Sequence, residues 1–203
     1  MKTVIIDYGM GNLRSVQKAV ERLGFTAEIS AEAGALQSAD KLILPGVGAF
    51  PQAVENLQKK QLWPILQNTG TKPFLGICLG MQLLLSASAE FGMTAGLDIV
   101  PGQVCYFRDA KNFPQELPVP HMGWNDVRQK SSVLFQNLPE IFSAYFVHSY
   151  YAQPAAEKFT IGLTDYGIDF CAAVQKDHIF GVQFHPEKSG DNGLQILKNF
   201  LEF

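Results

Sequence analysis

The chain has 203 residues, 47% of them hydrophobic and 17% charged, a balance that suits one packed globular domain and excludes a disordered chain. Sixteen Lys and Arg against 19 Asp and Glu leave a net charge of −3, with no long run of either sign, which excludes a nucleic-acid binder that relies on a broad phosphate-facing field. The richest apolar stretch, Phe74 to Leu85, is broken by Gly76, Gly80 and Gln82, too short a run to cross a membrane, and the opening MKTVIIDYG is too short for a secretory signal; a soluble, cytoplasmic protein without a membrane segment is expected.

Val4-Ile5-Ile6 reads as a first strand that ends in the turn Asp7 to Gly11. Asn12 is a candidate N-cap for a helix with Leu13, Val16, Val20 and Leu23 on one face, closed by Gly24. Phe25 to Ile29 reads as a second strand, and Lys41 to Leu44 as a third, stopped by Pro45-Gly46-Val47-Gly48. A helix is predicted from Gln52 to Lys60 and another after Pro64, where proline suits a first turn. Phe74 to Ile77 is the next strand, and it feeds a helix through Met81 to Ser86. This alternation predicts an α/β fold, a mixed and mostly parallel sheet flanked by helices.

After residue 95 the texture changes. Val104 to Phe107, Tyr145 to Val147, Thr160 to Leu163, Cys171 to Val174 and Ile179 to Phe184 read as short antiparallel or mixed strands, the last two joined by a turn at Lys176-Asp177. Asp191-Asn192-Gly193 precedes a last helix carrying Leu194, Leu197 and Leu201. No repeat or linker divides the chain, so residues 1–203 are read as a single domain.

Cys78, Cys105 and Cys171 are too scattered for a disulfide framework. The four histidines lack metal-ligand spacing, and neither a metal nor a cofactor is expected. Gly76-Ile77-Cys78-Leu79-Gly80 is different in kind. A strand runs into Cys78, a helix leaves it, and glycines flank it two residues away, which is the nucleophile elbow with cysteine in place of serine. The helix N-terminus favours a thiolate and offers the Leu79 N–H to a developing oxyanion. Gln82, one turn on, falls on the same face.

Gly181 to Glu187 delivers a histidine from an apolar strand, followed by proline and glutamate. In an extended segment His185 and Glu187 point the same way, so the carboxylate can orient the imidazole. A thiol nucleophile needs such a base, and the base needs an orienter. Pro45 to Gly48 follows a parallel strand and should share a crevice with Cys78, with Val47 or Gly48 supplying a second oxyanion donor.

Taken together, G-I-C-L-G-M-Q (76–82), F-H-P-E (184–187) and the P-G-V-G loop resemble the class I (triad) glutamine amidotransferases. D-Y-G-M-G-N-L (7–13), P-G-V-G-A-F (45–50), H-M-G-W-N (121–125) and V-H-S-Y (147–150) are similar to one branch, the glutaminase subunits of imidazole glycerol phosphate synthase. The resemblance spans about the whole chain. It implies that Cys78 attacks the amide of glutamine, with His185 as base and acid and Glu187 as its orienter. It further implies that Gln82, Ser149 and Tyr150 contact the substrate and that the Pro45–Gly48 loop reorients to complete the oxyanion hole. The partner implied is a (β/α)8-barrel cyclase, with Met10, Gly11, Asn12 and Trp124 facing it and Tyr145 and Lys188 near the ammonia gate.

Overall fold

The computed structural model describes residues 1–203. One sheet of 13 strands organises the chain. Its first half is parallel: β1 (Thr3–Ile6) lies between β2 (Ala27–Ser30) and β3 (Lys41–Gly46), and β3 pairs with β4 (Phe74–Cys78). The fifth strand in this array, β13 (Ile179–Val182), comes from the far end of the chain and pairs parallel with β4, Val182 opposite Ile77. The ends of these two neighbouring strands therefore carry Cys78 and, three residues past the end of β13, His185. Sequence separation of 107 residues becomes adjacency.

Helices α1 (Leu13–Arg22), α2 (Ala33–Ser38), α3 (Phe50–Lys59), α4 (Trp63–Gln67) and α6 (Gly190–Glu202) flank the sheet. Alternation along the strands divides the interior into two cores. Ile5, Ile43 and Leu75 pack with Val16 and Val20 of α1 and Phe200 of α6. Val4, Ile6, Leu42, Leu44 and Phe74 pack on the other face with Leu36, Phe50, Leu57 and Leu66 from α2, α3 and α4. Period-2 burial on both faces is what makes these strands read as nearly continuous apolar runs.

The second half adds β5 (Leu85–Ser88), β6 (Thr94–Ala95), β7 (Val100–Tyr106), β8 (His121–Gln129), β9 (Ile141–His148), β10 (Tyr150–Pro154), β11 (Thr160–Asp165) and β12 (Asp169–Lys176). Antiparallel pairing dominates this part: β12 joins β13, β10 and β11, β10 joins β7, and β11 leads to β8 and β9. The predicted hairpin at Lys176-Asp177 is present, with Asp177 at φ 55°.

Two predicted elements differ. The helix through Met81 to Ser86 is shorter: α5 spans Leu79–Leu83, and β5 begins at Leu85. Tertiary hydrogen bonds end it, because Leu97 N–H donates to Leu83 O at 2.9 Å and Ile99 and Val100 N–H both donate to Leu84 O, at 3.0 and 2.9 Å. The last helix starts earlier than predicted, at Gly190, so that Asp191 to Gly193 form its first turn. Ser189 precedes that end without a side-chain capping bond to it, its hydroxyl instead donating to His185 O at 2.7 Å and accepting from Tyr145 N–H at 2.9 Å. The sequence shows no sign of α2, β5, β6, β8 or β10; β8 alternates buried and exposed residues imperfectly, and its glycine weakens the strand signal.

Candidate active site

Cys78 sits at φ 55°, ψ −110°, a conformation that non-glycine residues rarely adopt. Packing enforces it. A Cβ on Gly76 would lie 2.5 Å from Gly80 O, and a Cβ on Gly80 would lie 1.8 Å from Leu44 O. The flanking glycines thus let β4 turn into α5 directly against β3, and the turn presents the sulfur at the sheet's carboxyl end. Gly46, opposite Cys78 in the β3–β4 register, is equally confined, since a Cβ there would lie 2.5 Å from the Tyr8 hydroxyl.

The sulfur opens into a cleft of about 610 Å³. Its walls include Val47, Gly48, Leu79, Gln82, Ser149 and Tyr150 with Cys78, so the residues predicted for oxyanion and substrate contacts are gathered in one place. Gln82 is not a surface glutamine: it is 5% exposed, and its amide donates to Tyr150 O and to Gln183 Oε1, both at 3.0 Å. Gln183 in turn donates to Cys78 Sγ at 3.6 Å. Val47 and Gly48 form the exposed rim, with Gly48 at φ 104° and close against Met10.

His185 and Glu187 meet behind the sulfur, Nδ1 to Oε1 at 2.9 Å, with both side chains almost fully buried. His185 itself is extended as predicted, at φ −97°, ψ 98°, but the chain beyond it is not, because Pro186–Lys188 form a single 3-10 turn. The turn brings the carboxylate under the ring in place of strand alternation. Glu187 Oε2 and His185 Nε2 are buried without further hydrogen bonds, which leaves Nε2 free toward the sulfur. Burial disfavours a charged ring at His185, but the interactions with Cys78 and Glu187 outweigh it and raise its pKa to about 10. Once the ring has taken the Cys78 proton these interactions hold it as imidazolium, the form that can protonate a leaving amine.

The remaining predicted residues lie on the surface beside the triad. Trp124 stands opposite Tyr145 in the β8–β9 ladder, with ring centroids 6.3 Å apart, and is 59% exposed. Lys188 lies over the Tyr145 ring at 5.8 Å. Tyr145 is also tied to the triad through its backbone, whose carbonyl accepts from His185 N–H at 2.9 Å. Asn12 is exposed at the start of α1 but its side chain caps nothing, and Gly11 backs onto Pro45 O. Met10, Gly11 and the Pro45 loop are thus one packed unit.

Four residues in or behind the cleft carried no assigned role in the sequence. Glu90 lines it and accepts from Phe50 N–H at 2.7 Å; burial raises its carboxyl, with that hydrogen bond acting the other way. Nothing local marks this glutamate. Gln183 had a signal, being the one polar residue inside an apolar strand. His148 and His121 form a buried pair, joined Nε2 to Nδ1 at 3.0 Å. Burial lowers His121 to about 4 and His148 to about 3, so both rings are neutral.

This pair has a consequence for stability. Both folded-state values lie below the usual 6.5, so unfolding takes up protons, and the contribution to stability is present above pH 6.5 and lost as pH falls toward 4 and 3. Between pH 6 and 4.5 urea titrations should show the two rings contributing a slope approaching about 2.7 kcal/mol per pH unit. His121→Asn should remove about half of it; an unchanged slope would contradict the neutral pair.

Residues 4–203 match the family model of glutamine amidotransferase class-I. The chain belongs to the class-I glutamine amidotransferases. Among proteins of this family it is 50% identical over 201 residues to the imidazole glycerol phosphate synthase subunit HisH of Moorella thermoacetica, covering 98% of this chain and 93% of that protein. It is 48% identical over 205 residues to the HisH subunit of Geobacter sulfurreducens, with 99% and 98% covered. Solved structures share the amidotransferase fold at lower identity. A glutamine amidotransferase aligns at TM-score 0.75 and 18% identity over 98% of this chain and 97% of the other, and PurLQS from Thermotoga maritima at 0.72 and 16% over 99% and 97%.

Proposed function

We propose that this chain hydrolyses glutamine to glutamate and ammonia and passes the ammonia to a (β/α)8-barrel cyclase, in the cytoplasm, for the step of histidine biosynthesis that yields imidazole glycerol phosphate and an aminoimidazole carboxamide ribonucleotide. The observation that carries this reading is an intact Cys78–His185–Glu187 constellation behind an open cleft that can admit glutamine, in a chain homologous end to end with HisH subunits. Cys78 passes its thiol proton to His185 as Sγ attacks the side-chain amide carbon, and the tetrahedral oxyanion is received by Leu79 N–H and, once the rim loop reorients, by an N–H of Val47 or Gly48. His185, oriented by Glu187, protonates the departing ammonia. It then takes a proton from water, which hydrolyses the γ-glutamyl thioester.

Gln82, Ser149 and Tyr150 contact the substrate, and Glu90, in the wall of the same cleft, pairs with its ammonium. Met10, Gly11, Asn12, Trp124, Tyr145 and Lys188 form the face toward the cyclase, where an exposed tryptophan beside the triad suits an interface anchor. Glu187→Gln should lower kcat by about 10²–10⁴-fold, less than loss of the nucleophile, because orientation is one part of the acceleration; equal losses would assign Glu187 a larger part. The function is tested by glutamate release from this chain alone and with the cyclase plus its nucleotide ligand. A low rate that rises by about 10² or more in the liganded complex supports the coupled glutaminase. A high rate indifferent to the partner would mean a free-standing γ-glutamyl hydrolase.

A further inference from the structure

His121 and His148 are buried, polar and unused by the triad chemistry, yet their hydrogen bonds lead to the nucleophile. His148 Nδ1 lies 2.8 Å from Tyr150 O. A carbonyl only accepts, so Nδ1 bears the proton and the neutral ring's Nε2 is an acceptor. His121 Nδ1, 3.0 Å from that Nε2, must then donate. Its own Nε2 is left as an acceptor for Asn125 Nδ2 at 3.2 Å, an amide that also donates to Asp165 O at 2.8 Å. On the other side, Tyr150 O accepts a second bond from Gln82, which donates to Gln183, which donates to Cys78 Sγ.

Two directional runs therefore meet at the Tyr150 carbonyl: one comes from Asn125, next to the exposed Trp124, through two imidazoles, and the other starts at Gln82, which donates both to that carbonyl and, through Gln183, toward the sulfur. Every donor along them has an acceptor. The rings are also held sterically: His121 is stacked between Tyr166 and Phe146, with centroids 4.0 and 4.9 Å away.

We propose that His121 and His148 are positioning residues for glutamine, which lock the Tyr150 carbonyl and through it set Gln82 and Gln183 against Cys78. This rests on the glutaminase reading above. The consequence is that glutamine affinity depends on an imidazole that touches neither substrate nor sulfur, on the strand that carries Trp124.

The donor atom makes the test specific. An asparagine at 121 can place its amide where Nδ1 stands, whereas a glutamine amide reaches the Nε2 position and leaves His148 without a donor. In the complex with the cyclase, His121→Gln should raise KM for glutamine about tenfold with kcat within about threefold, and His121→Asn should restore most of that loss. Equal KM for both variants, or a loss confined to kcat, would overturn the proposal. A wild-type complex that releases no glutamate would instead defeat the glutaminase reading. Nitrogen-15 NMR of histidine-labelled wild-type protein at pH 7.5 tests the chain without any substitution. Both rings as Nδ1–H tautomers support it, and an Nε2–H tautomer on either ring overturns it.

Discussion

Replacing Cys78 with alanine is expected to lower glutamine-dependent kcat by about 10⁶-fold, while the cyclase continues to use added ammonia. No other thiol can take over. Cys171 is buried away from the cleft, and burial pushes it up to about 12. Cys105 opens into a separate hollow with Tyr151 and Asp109, and burial with the nearby Asp109 raises it as well. The alanine variant keeps the strained backbone, because the strain comes from Gly76, Gly80 and β3 and not from the sulfur. Its unfolding midpoint should stay near that of the wild type, which separates lost chemistry from lost fold. Glutamine-driven turnover surviving in this variant would refute Cys78 as the nucleophile.

The second large effect is on the fold itself. Gly80→Ala would drive a methyl to 1.8 Å from Leu44 O, in the β3 strand that is hydrogen-bonded to β1 and β4 on its two sides. Neither backbone can retreat without breaking a ladder at the centre of the sheet, so destabilisation should reach at least about 3 kcal/mol, a large share of a typical domain's stability of roughly 5–15 kcal/mol. Gly34→Ala is the matched control: it lies in α2 with nothing near the new Cβ, and alanine there should be neutral or stabilising by up to about 1 kcal/mol. Urea unfolding of both variants reads the contrast. A Gly80→Ala protein within about 0.5 kcal/mol of wild type would show that α5 can lift off β3, contrary to the tight elbow.

What could be read along the chain were features whose cause is local. The elbow is legible because two glycines and a cysteine at fixed spacing determine a turn. The β1, β3 and β4 strands are legible because burial on both faces demands unbroken apolar runs. His185 and Glu187 were paired correctly by proximity, although through a 3-10 turn rather than an extended strand; proline's constraint on the preceding residue could not tell what followed it.

The rest depends on contacts between distant residues. Gln82 and Gln183 are 101 positions apart, and Gln82 and Tyr150 are 68 apart. Whether Gln82 is a solvated glutamine or part of the cleft was open until β13 took its place beside β4. Helix α5 stops at Leu83 because carbonyls 83 and 84 are claimed by residues 97, 99 and 100, against the helical preference of its own leucines. The sequence by itself determined the elbow at Cys78, the pairing of His185 with Glu187 and the strands β1, β3 and β4, since each follows from the stereochemistry of a few adjacent residues. Only the tertiary structure decided Glu90, Gln183 and the neutral histidine chain, because a buried hydrogen bond acquires its partner, and a histidine its protonation state, from what folding packs around it.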